Sequence, residues 1–238
     1  MRGKLSVGDA LGEVFDLYRQ HAGVLLPLAF WLFLAVAIVE GVIGPSVGAF
    51  LVGMVLTLLV GTLYQGVVVN LVGGVHAGSR EFSIRGLLDT ALPYLPRLIA
   101  AGILASAAMA VGFVLLIVPG LYLATIWAVL APAIVIEDCG VFGSFGRSRE
   151  LVRGNGWPVL GAIAVAFVIA AAVGLILLEI VQAVAGGPLL EIVFGAIAAT
   201  VTAPIAALVA SVLYYRLLVI ERVAEPPPPS APPPSVVE

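Results

Sequence analysis

The sequence predicts an all-α integral membrane protein, a bundle of about six transmembrane helices in three hairpins with amphipathic cytoplasmic segments. Of its 238 residues, 62% are hydrophobic and only 11% are charged, whereas soluble domains carry about 25% charged residues. The apolar residues are gathered into charge-free runs of about the 20 residues that a bilayer core requires. The basic residues all fall between these runs. Hydrocarbon therefore solvates most of this chain.

Six charge-free runs predict the spans. The first follows a long polar segment and precedes no small-residue cleavage motif, so we expect a retained span and not a signal peptide. The fourth run has only 16 residues. It must be buried within the bundle, recruit flanking residues or thin the bilayer. The runs lie at about 24–43, 47–69, 98–118, 121–136, 157–178 and 192–215.

Helix-breaking residues separate the members of each pair of spans and predict three tight hairpins. An amphipathic segment precedes each hairpin, and we expect these segments to be helices that lie in the membrane interface. The chain is thus predicted to consist of three repeats of one unit, an amphipathic segment followed by a hairpin of two spans. The predicted turns are Gly44-Pro45, Pro119-Gly120 and Gly186-Gly187-Pro188, and the amphipathic segments cover about 5–19, 80–95 and 141–153.

All 11 Lys and Arg residues lie before the first span, between spans two and three, between spans four and five, or after the sixth. An even number of spans places these four segments on one face. The positive-inside rule predicts that this face is cytoplasmic, in a multi-pass protein of the cell membrane with both termini inside. Residues 1–222 form the predicted membrane domain. Residues 223–238 are proline-rich and predict a disordered cytoplasmic tail, either a solvated spacer or a ligand for a proline-recognising partner.

Reactive clusters are missing from the sequence. The middles of the predicted spans contain no Lys, Arg, Asp or His, and charges there are expensive. His21 and His76 have no second metal ligand at helical spacing, and the lone Cys139 predicts a free thiol. We therefore expect no catalytic activity, no metal or cofactor and no nucleic-acid partner.

Polar side chains inside the predicted spans are open to two interpretations. They either line a permeation path or join neighbouring helices by hydrogen bonds. The sequence favours a non-enzymatic membrane protein that acts as a scaffold or interacts with lipids. A pocket lined by Gln65, Asn70 or Thr202 would favour the alternative, a small transporter or permease for lipid-like or apolar substrates. The polar residues are Thr57, Thr62, Gln65, Asn70, Ser106, Thr125, Thr200 and Thr202.

Arg147, Arg149 and Arg153 lie in the third amphipathic segment. They either contact anionic lipid headgroups or only enforce the topology, since a strong lipid-binding cluster has about four to eight basic residues. Membrane lipids are the expected partners of this segment.

One region has a more specific pattern. Residues 119–161 read PGLYLATIWAVLAPAIVIEDCGVFGSFGRSRELVRGNGWPVLG. This region resembles the signature of the bacterial glycerophosphoryl diester phosphodiesterase membrane domain family. Phe145 and Gly146 depart from that signature, which has an alanine and a further base ahead of the serine. The matching positions are Pro119, Gly120, Tyr122, Trp127, Pro132, Glu137, Ser148, Leu151, Arg153, Gly154 and Trp157.

The resemblance implies a membrane domain and not a hydrolase. Some relatives carry a fused catalytic barrel, whereas here the proline-rich segment follows the sixth span, and we expect no barrel. Within the motif, Pro119 and Gly120 would turn a hairpin at the outer face. Glu137 and Arg153 flank the cytoplasmic segment, and we hypothesise that they pair across it.

Overall fold

The computed structural model describes residues 5–43, 46–79, 82–184 and 187–224, and within these residues every regular element is helical. Six segments of the described chain are long and apolar enough to cross a membrane. The predicted all-α membrane bundle is therefore confirmed. The helices are α1 (Val7–Ile43), α2 (Val47–His76), α3 (Ile84–Ala91), α4 (Leu95–Leu115), α5 (Ile117–Ile126), α6 (Leu130–Ile136), α7 (Val141–Val152), α8 (Gly156–Val184) and α9 (Pro188–Ala224).

The first amphipathic segment is not a separate helix. It continues directly into the first span, so that α1 is a single helix of 37 residues. Ala10, Val14 and Leu17 are buried in the main apolar core, and α9 is the helix that α1 packs against most extensively. The apolar stripe thus packs against α9 of the same chain and does not lie in the membrane interface, which corrects the prediction for this segment.

The second hairpin contains an interrupted span. Helix α3 begins at the capping residue Ser83, whose hydroxyl accepts a hydrogen bond from Gly86 N–H at 3.1 Å, and a short 3-10 turn joins it to α4. The returning span consists of α5 and α6, with Trp127, Ala128 and Val129 between them in non-helical turns. Together they cover 117–136, so the short predicted run recruits residues from its N-terminal side. This is also the most buried of the six spans. In its 18-residue apolar stretch 39% of the residues are buried, against 17% in the fifth span.

Pro119 and Gly120 do not form the hairpin turn. The turn is at Leu116, which is extended (φ −163°, ψ 149°), and Pro119-Gly120 lies in the first turn of α5. A proline is tolerated there because the first N–H groups of a helix have no intrahelical partner. A Cβ on Gly112 would lie 3.1 Å from the backbone of Gly120. This glycine pair therefore lets α4 and α5 approach closely.

The third hairpin follows α7. Gly154 turns the chain between α7 and α8 with φ +90°, a conformation that favours glycine. Pro188 is the first residue of α9, the position in which proline is most favourable. Gly44, Pro45, Gly186 and the predicted tail after Ala224 lie outside the described residues. The proposed threefold repeat remains a prediction.

Ionic contacts gather at one end of the bundle, which we call the charged end. They join the beginning of α1, the end of α2, the beginning of α4, the segment after α6, and the last turns of α9. Large apolar side chains are exposed along the outer surfaces of the helices, among them Trp31, Val114 and Phe167. This distribution suits a bundle that lipid surrounds, with the predicted basic face at its charged end.

Candidate functional site

The interruption of the fourth span leaves backbone groups without regular helical partners. Trp127 N–H bonds to Leu123 C=O, but Ala128 N–H bonds only three residues back, to Thr125 C=O. Pro132 has no N–H to donate to Ala128 C=O four residues earlier. Irregular backbone at membrane depth is tolerated where protein buries it or where it lines a cavity. Both conditions are met here.

Ser148 of α7 closes the buried side of the interruption. Its hydroxyl donates to Ile126 C=O at 2.8 Å and accepts from Val129 N–H at 3.4 Å. The Ser148 side chain is fully buried. One hydroxyl thus satisfies the last carbonyl of α5 and an amide just before α6.

Arg147 holds α7 in place through what we call the α7 anchor: Glu137, Arg147, Tyr214 and Glu221. The Arg147 guanidinium makes two hydrogen bonds of 2.7 Å to the Glu221 carboxylate, and Arg147 Nε donates to Glu137 at 2.7 Å. Tyr214 OH donates to the other Glu137 oxygen at 2.7 Å. The anchor therefore ties α7 to the end of α6 and to α9.

Hydrogen bonds to Glu221 and then to Glu137 raise the pKa of Arg147 further above its usual value. The guanidinium is thus charged throughout the accessible pH range. Glu137 and Glu221 accept its short hydrogen bonds and Glu150 a longer one of 3.5 Å, so a lipid headgroup would have to displace one of these carboxylates.

Arg153 is not the partner of Glu137, and the hypothesis of that pair is wrong. Arg153 ends α7 and is exposed, as is Arg149. The two arginines differ in this way from Arg147, whose side chain is only 21% exposed. Headgroup contact by the three arginines remains a prediction.

A partly open cavity of about 210 Å³ lies between α2, α4 and the interrupted span. We call it the interhelical cavity. Its polar lining consists of Thr62 and Gln65 from α2 and Ser106 from α4, with Trp127 and Ala128 contributed by the interruption. These residues lie near the middles of their spans. Ser106 is exposed, so the cavity reaches the outer surface of the bundle at the level where lipid would lie.

The intramembrane threonines do not join neighbouring helices. The hydroxyls of Thr62, Thr125, Thr200 and Thr202 each donate to a carbonyl four residues earlier in their own helix, at 2.6–2.9 Å. Such bonds satisfy a hydroxyl locally. Neither Asn70 nor Thr202 lines the interhelical cavity. The Asn70 amide nitrogen is buried without a hydrogen-bond partner among the described residues.

A second, open groove of about 520 Å³ lies at the charged end, where Asp9, Glu13 and Asp16 face His76 and Arg216. Three side chains in this groove already have partners. Arg216 donates to Glu13 and to Asp9 C=O at 2.8 Å, and the His76 ring stacks on Tyr215 at 4.0 Å. The groove lies where α1, α2 and α9 pack together. Among the described residues no three metal-ligating side chains form a group.

Cys139 lies beside the anchor and is partly buried. Burial, followed by the negative charge of Glu137, raises the pKa of the Cys139 thiol. The thiol is therefore protonated at neutral pH and is a weak nucleophile.

The motif residues lie in different parts of the fold. Trp127, Pro132 and Ser148 lie at the interruption, whereas Glu137 belongs to the anchor. Trp127 packs edge-on against Phe145 of α7 with 4.9 Å between ring centroids. Leu151 is buried in the core, whereas Tyr122 and Trp157 are exposed. No family model, curated protein or solved structure matches this chain. The family resemblance therefore stays a prediction.

Sequence reasoning missed the α9 residues of the anchor, Glu221, which bonds to Arg147, and Tyr214, which bonds to Glu137. Glu221 and Tyr214 lie more than sixty residues further along the chain, and no local spacing links them to α7. A weak signal was available, because Tyr214 and Glu221 stand seven residues apart. That spacing places them on one face of a helix, at the predicted cytoplasmic end of the sixth span.

Proposed function

We propose that this chain is a non-enzymatic multi-pass protein of the cell membrane that binds a lipid-like molecule between its helices, with both termini in the cytoplasm. The observation that carries the proposal is the interhelical cavity. It lies among the middles of the spans, beside irregular backbone, and reaches the surface at the exposed Ser106. Pockets between the helices of a bundle are common ligand sites.

The chemistry of the lining supports binding and not catalysis. Among the described residues that line the cavity there is no Asp, Glu, His, Lys or Arg. The lining therefore offers no side chain suited to general acid–base catalysis. The apolar side chains in the lining, such as Leu98, Met109 and Ile134, suit a hydrocarbon-bearing molecule that enters from the bilayer.

The volume suggests how much of a ligand is enclosed. About 210 Å³ is well above the roughly 10–15 Å³ that one water needs and below the roughly 300–1,000 Å³ of drug-sized pockets. We infer that the polar part of a lipid is enclosed while its chains stay among the surrounding lipids.

Lipid retention tests the proposal. A leucine at Gly102 would extend into the cavity, because Gly102 lines it and a Cβ there meets nothing within 4 Å. Protein purified in mild detergent and washed free of loose lipid should retain bound lipid, measured by mass spectrometry, and Gly102→Leu should lose it. Gly174→Leu is the matched control, since Gly174 also has open space but lies on α8, away from the cavity. Equal lipid in all three proteins would contradict the proposal.

A small permease for lipid-like substrates is a second candidate. Gln65 lines the interhelical cavity, as this alternative predicts. The interrupted fourth span also favours it, because many transporters build their substrate sites from discontinuous helices near the bilayer midplane. Proteoliposomes that contain a fluorescent lipid in one leaflet would separate the two functions. A permease accelerates movement of that lipid between leaflets and Gly102→Leu slows it, whereas a binding protein leaves the rate unchanged.

A further inference from the structure

The polar groups of the interhelical cavity define the kind of molecule that it takes. Within the described part of the chain, neither the Gln65 amide nor the Ser106 hydroxyl has a hydrogen-bond partner. The Thr62 hydroxyl donates to Leu58 C=O, which leaves its oxygen free to accept. The lining therefore presents both donors and acceptors.

The interruption leaves a further backbone acceptor on a residue that lines the cavity. Ala128 lines the cavity, and its carbonyl lacks the partner that a regular helix would supply, because Pro132 has no N–H. Unsatisfied polar groups at membrane depth are costly. A ligand that brings its own hydroxyl or amide groups would relieve this cost.

Charge is absent from the same lining. No ionisable side chain is among the described residues that line the cavity. Arg97, which precedes the lining residue Leu98, is paired with Asp138, and Arg147 is bonded to Glu137 and Glu221. A phosphate placed in the cavity would be desolvated without a cationic partner, which is strongly unfavourable. The cavity is therefore mismatched to anionic headgroups.

We propose that the interhelical cavity takes the uncharged, hydroxyl-bearing head of a lipid and discriminates against phosphate-bearing heads. This inference rests on the proposed lipid binding and names its ligand class. The mouth at the exposed Ser106, at the level where lipid would lie, makes a membrane lipid the occupant, and not a water-soluble polyol. Gln65 and Ser106 are the residues that form hydrogen bonds with this head group.

Trp127 provides the reporter, because it lines the cavity and is one of only three tryptophans. The other two, Trp31 and Trp157, are 68% and 85% exposed, so phenylalanine can replace them. In nanodiscs of phosphatidylcholine, the remaining Trp127 fluorescence is titrated with a monoacylglycerol whose acyl chain is dibrominated. The comparison lipid is a lysophosphatidic acid with the same brominated chain, which differs only by its phosphate.

We expect half-maximal quenching by the monoacylglycerol at a mole fraction at least about tenfold lower than by the lysophosphatidic acid, a factor that corresponds to about 1.4 kcal/mol. Gln65→Leu and Ser106→Ala should each reduce this preference. Thr57→Ala is the matched control for the loss of a hydroxyl, because Thr57 is exposed on α2 outside the cavity. Ser106 is exposed as well, so its replacement does not depend on repacking the core.

Three outcomes would overturn the inference in different ways. Equal or stronger quenching by lysophosphatidic acid, abolished by Gly102→Leu, would contradict the uncharged head but leave the proposed lipid binding intact. Quenching by both lipids that Gly102→Leu does not change would contradict lipid binding in the cavity, and with it the proposed function. Free glycerol that reverses the quenching at concentrations comparable to the monoacylglycerol would identify a soluble polyol as the occupant.

Discussion

Arg147 connects three parts of the chain that are distant in sequence. Its guanidinium bonds to Glu221 of α9 and to Glu137 after α6, while its own backbone belongs to α7. The three side chains are 21–30% exposed. The pairs are thus neither surface salt bridges, which contribute little, nor fully buried ones.

Replacing Arg147 by methionine should leave two half-buried carboxylates close together without a counter-charge. We expect a loss of about 2–3 kcal/mol in the free energy of unfolding, between the values for breaking surface and buried pairs. Chemical unfolding in detergent micelles measures this loss.

Arg153→Met is the control, because Arg153 is exposed at the end of the same helix. It should change the free energy of unfolding by no more than about 0.5 kcal/mol. A larger effect from Arg153 than from Arg147 would restore the Glu137–Arg153 pair that the sequence suggested.

The residues of the anchor show how far individual side-chain contacts can be predicted from the sequence. Glu137 and the basic character of α7 stand out because charges are rare in this chain. Arg147 and not Arg153 forms the ion pairs because of where the end of α9 lies in the folded chain. Position along α7 does not reveal it.

Among the helices, the interrupted fourth span is the element on which the candidate site depends. Its two halves are held by a hydroxyl from outside the span, since Ser148 bridges Ile126 C=O and Val129 N–H. Helix α7 therefore holds the two halves of the fourth span together at the interruption, and the anchor holds α7 in place.

Ser148→Ala should unpair both backbone groups in a buried setting and cost about 1–3 kcal/mol. It should also increase hydrogen exchange of the amides at 127–130, which mass spectrometry can follow. Ser144→Ala is the matched control: Ser144 is equally buried on α7, but its hydroxyl donates only to Val141 C=O, in the first turn of the same helix. Equal exchange at 127–130 in the two variants would show that Ser148 does not hold the interruption.

Hydropathy predicted the number of spans because each run is long and free of charge. It missed the interruption, since Trp127, Ala128 and Val129 are as apolar as their neighbours, and only Pro132 gave a hint. The first amphipathic segment was assigned to the membrane interface because its apolar stripe needs an apolar surface. Periodicity cannot distinguish a lipid surface from α9, which proved to be the partner.

For the molecule as a whole, the gathering of charges at one end accords with the topology that the basic residues predict. Cys139 lies between α6 and α7, at the charged end, and it is the only cysteine. It is therefore a natural reporter of which face of the membrane that end occupies.

A membrane-impermeant maleimide should label Cys139 in inverted membrane vesicles and not in intact cells. Labelling should be slow at pH 7 and accelerate as the pH rises toward 9 and beyond, because burial and Glu137 raise the thiol pKa above its usual value near 9.0. Gly187→Cys in a Cys139→Ser background places a thiol between α8 and α9, at the opposite end, and should show the reverse sidedness. Labelling of Cys139 from outside intact cells would invert the proposed topology.

The lengths of α1 and α9 have a consequence for whatever the chain ends touch. Each helix has 37 residues, about 55 Å at 1.5 Å per residue, whereas a bilayer with its headgroups is about 40–45 Å thick. The two helices contact each other at the charged end, where Arg216 bonds to Glu13. We expect about two turns of both helices to emerge together at that end, so that Ala224 lies above the membrane surface.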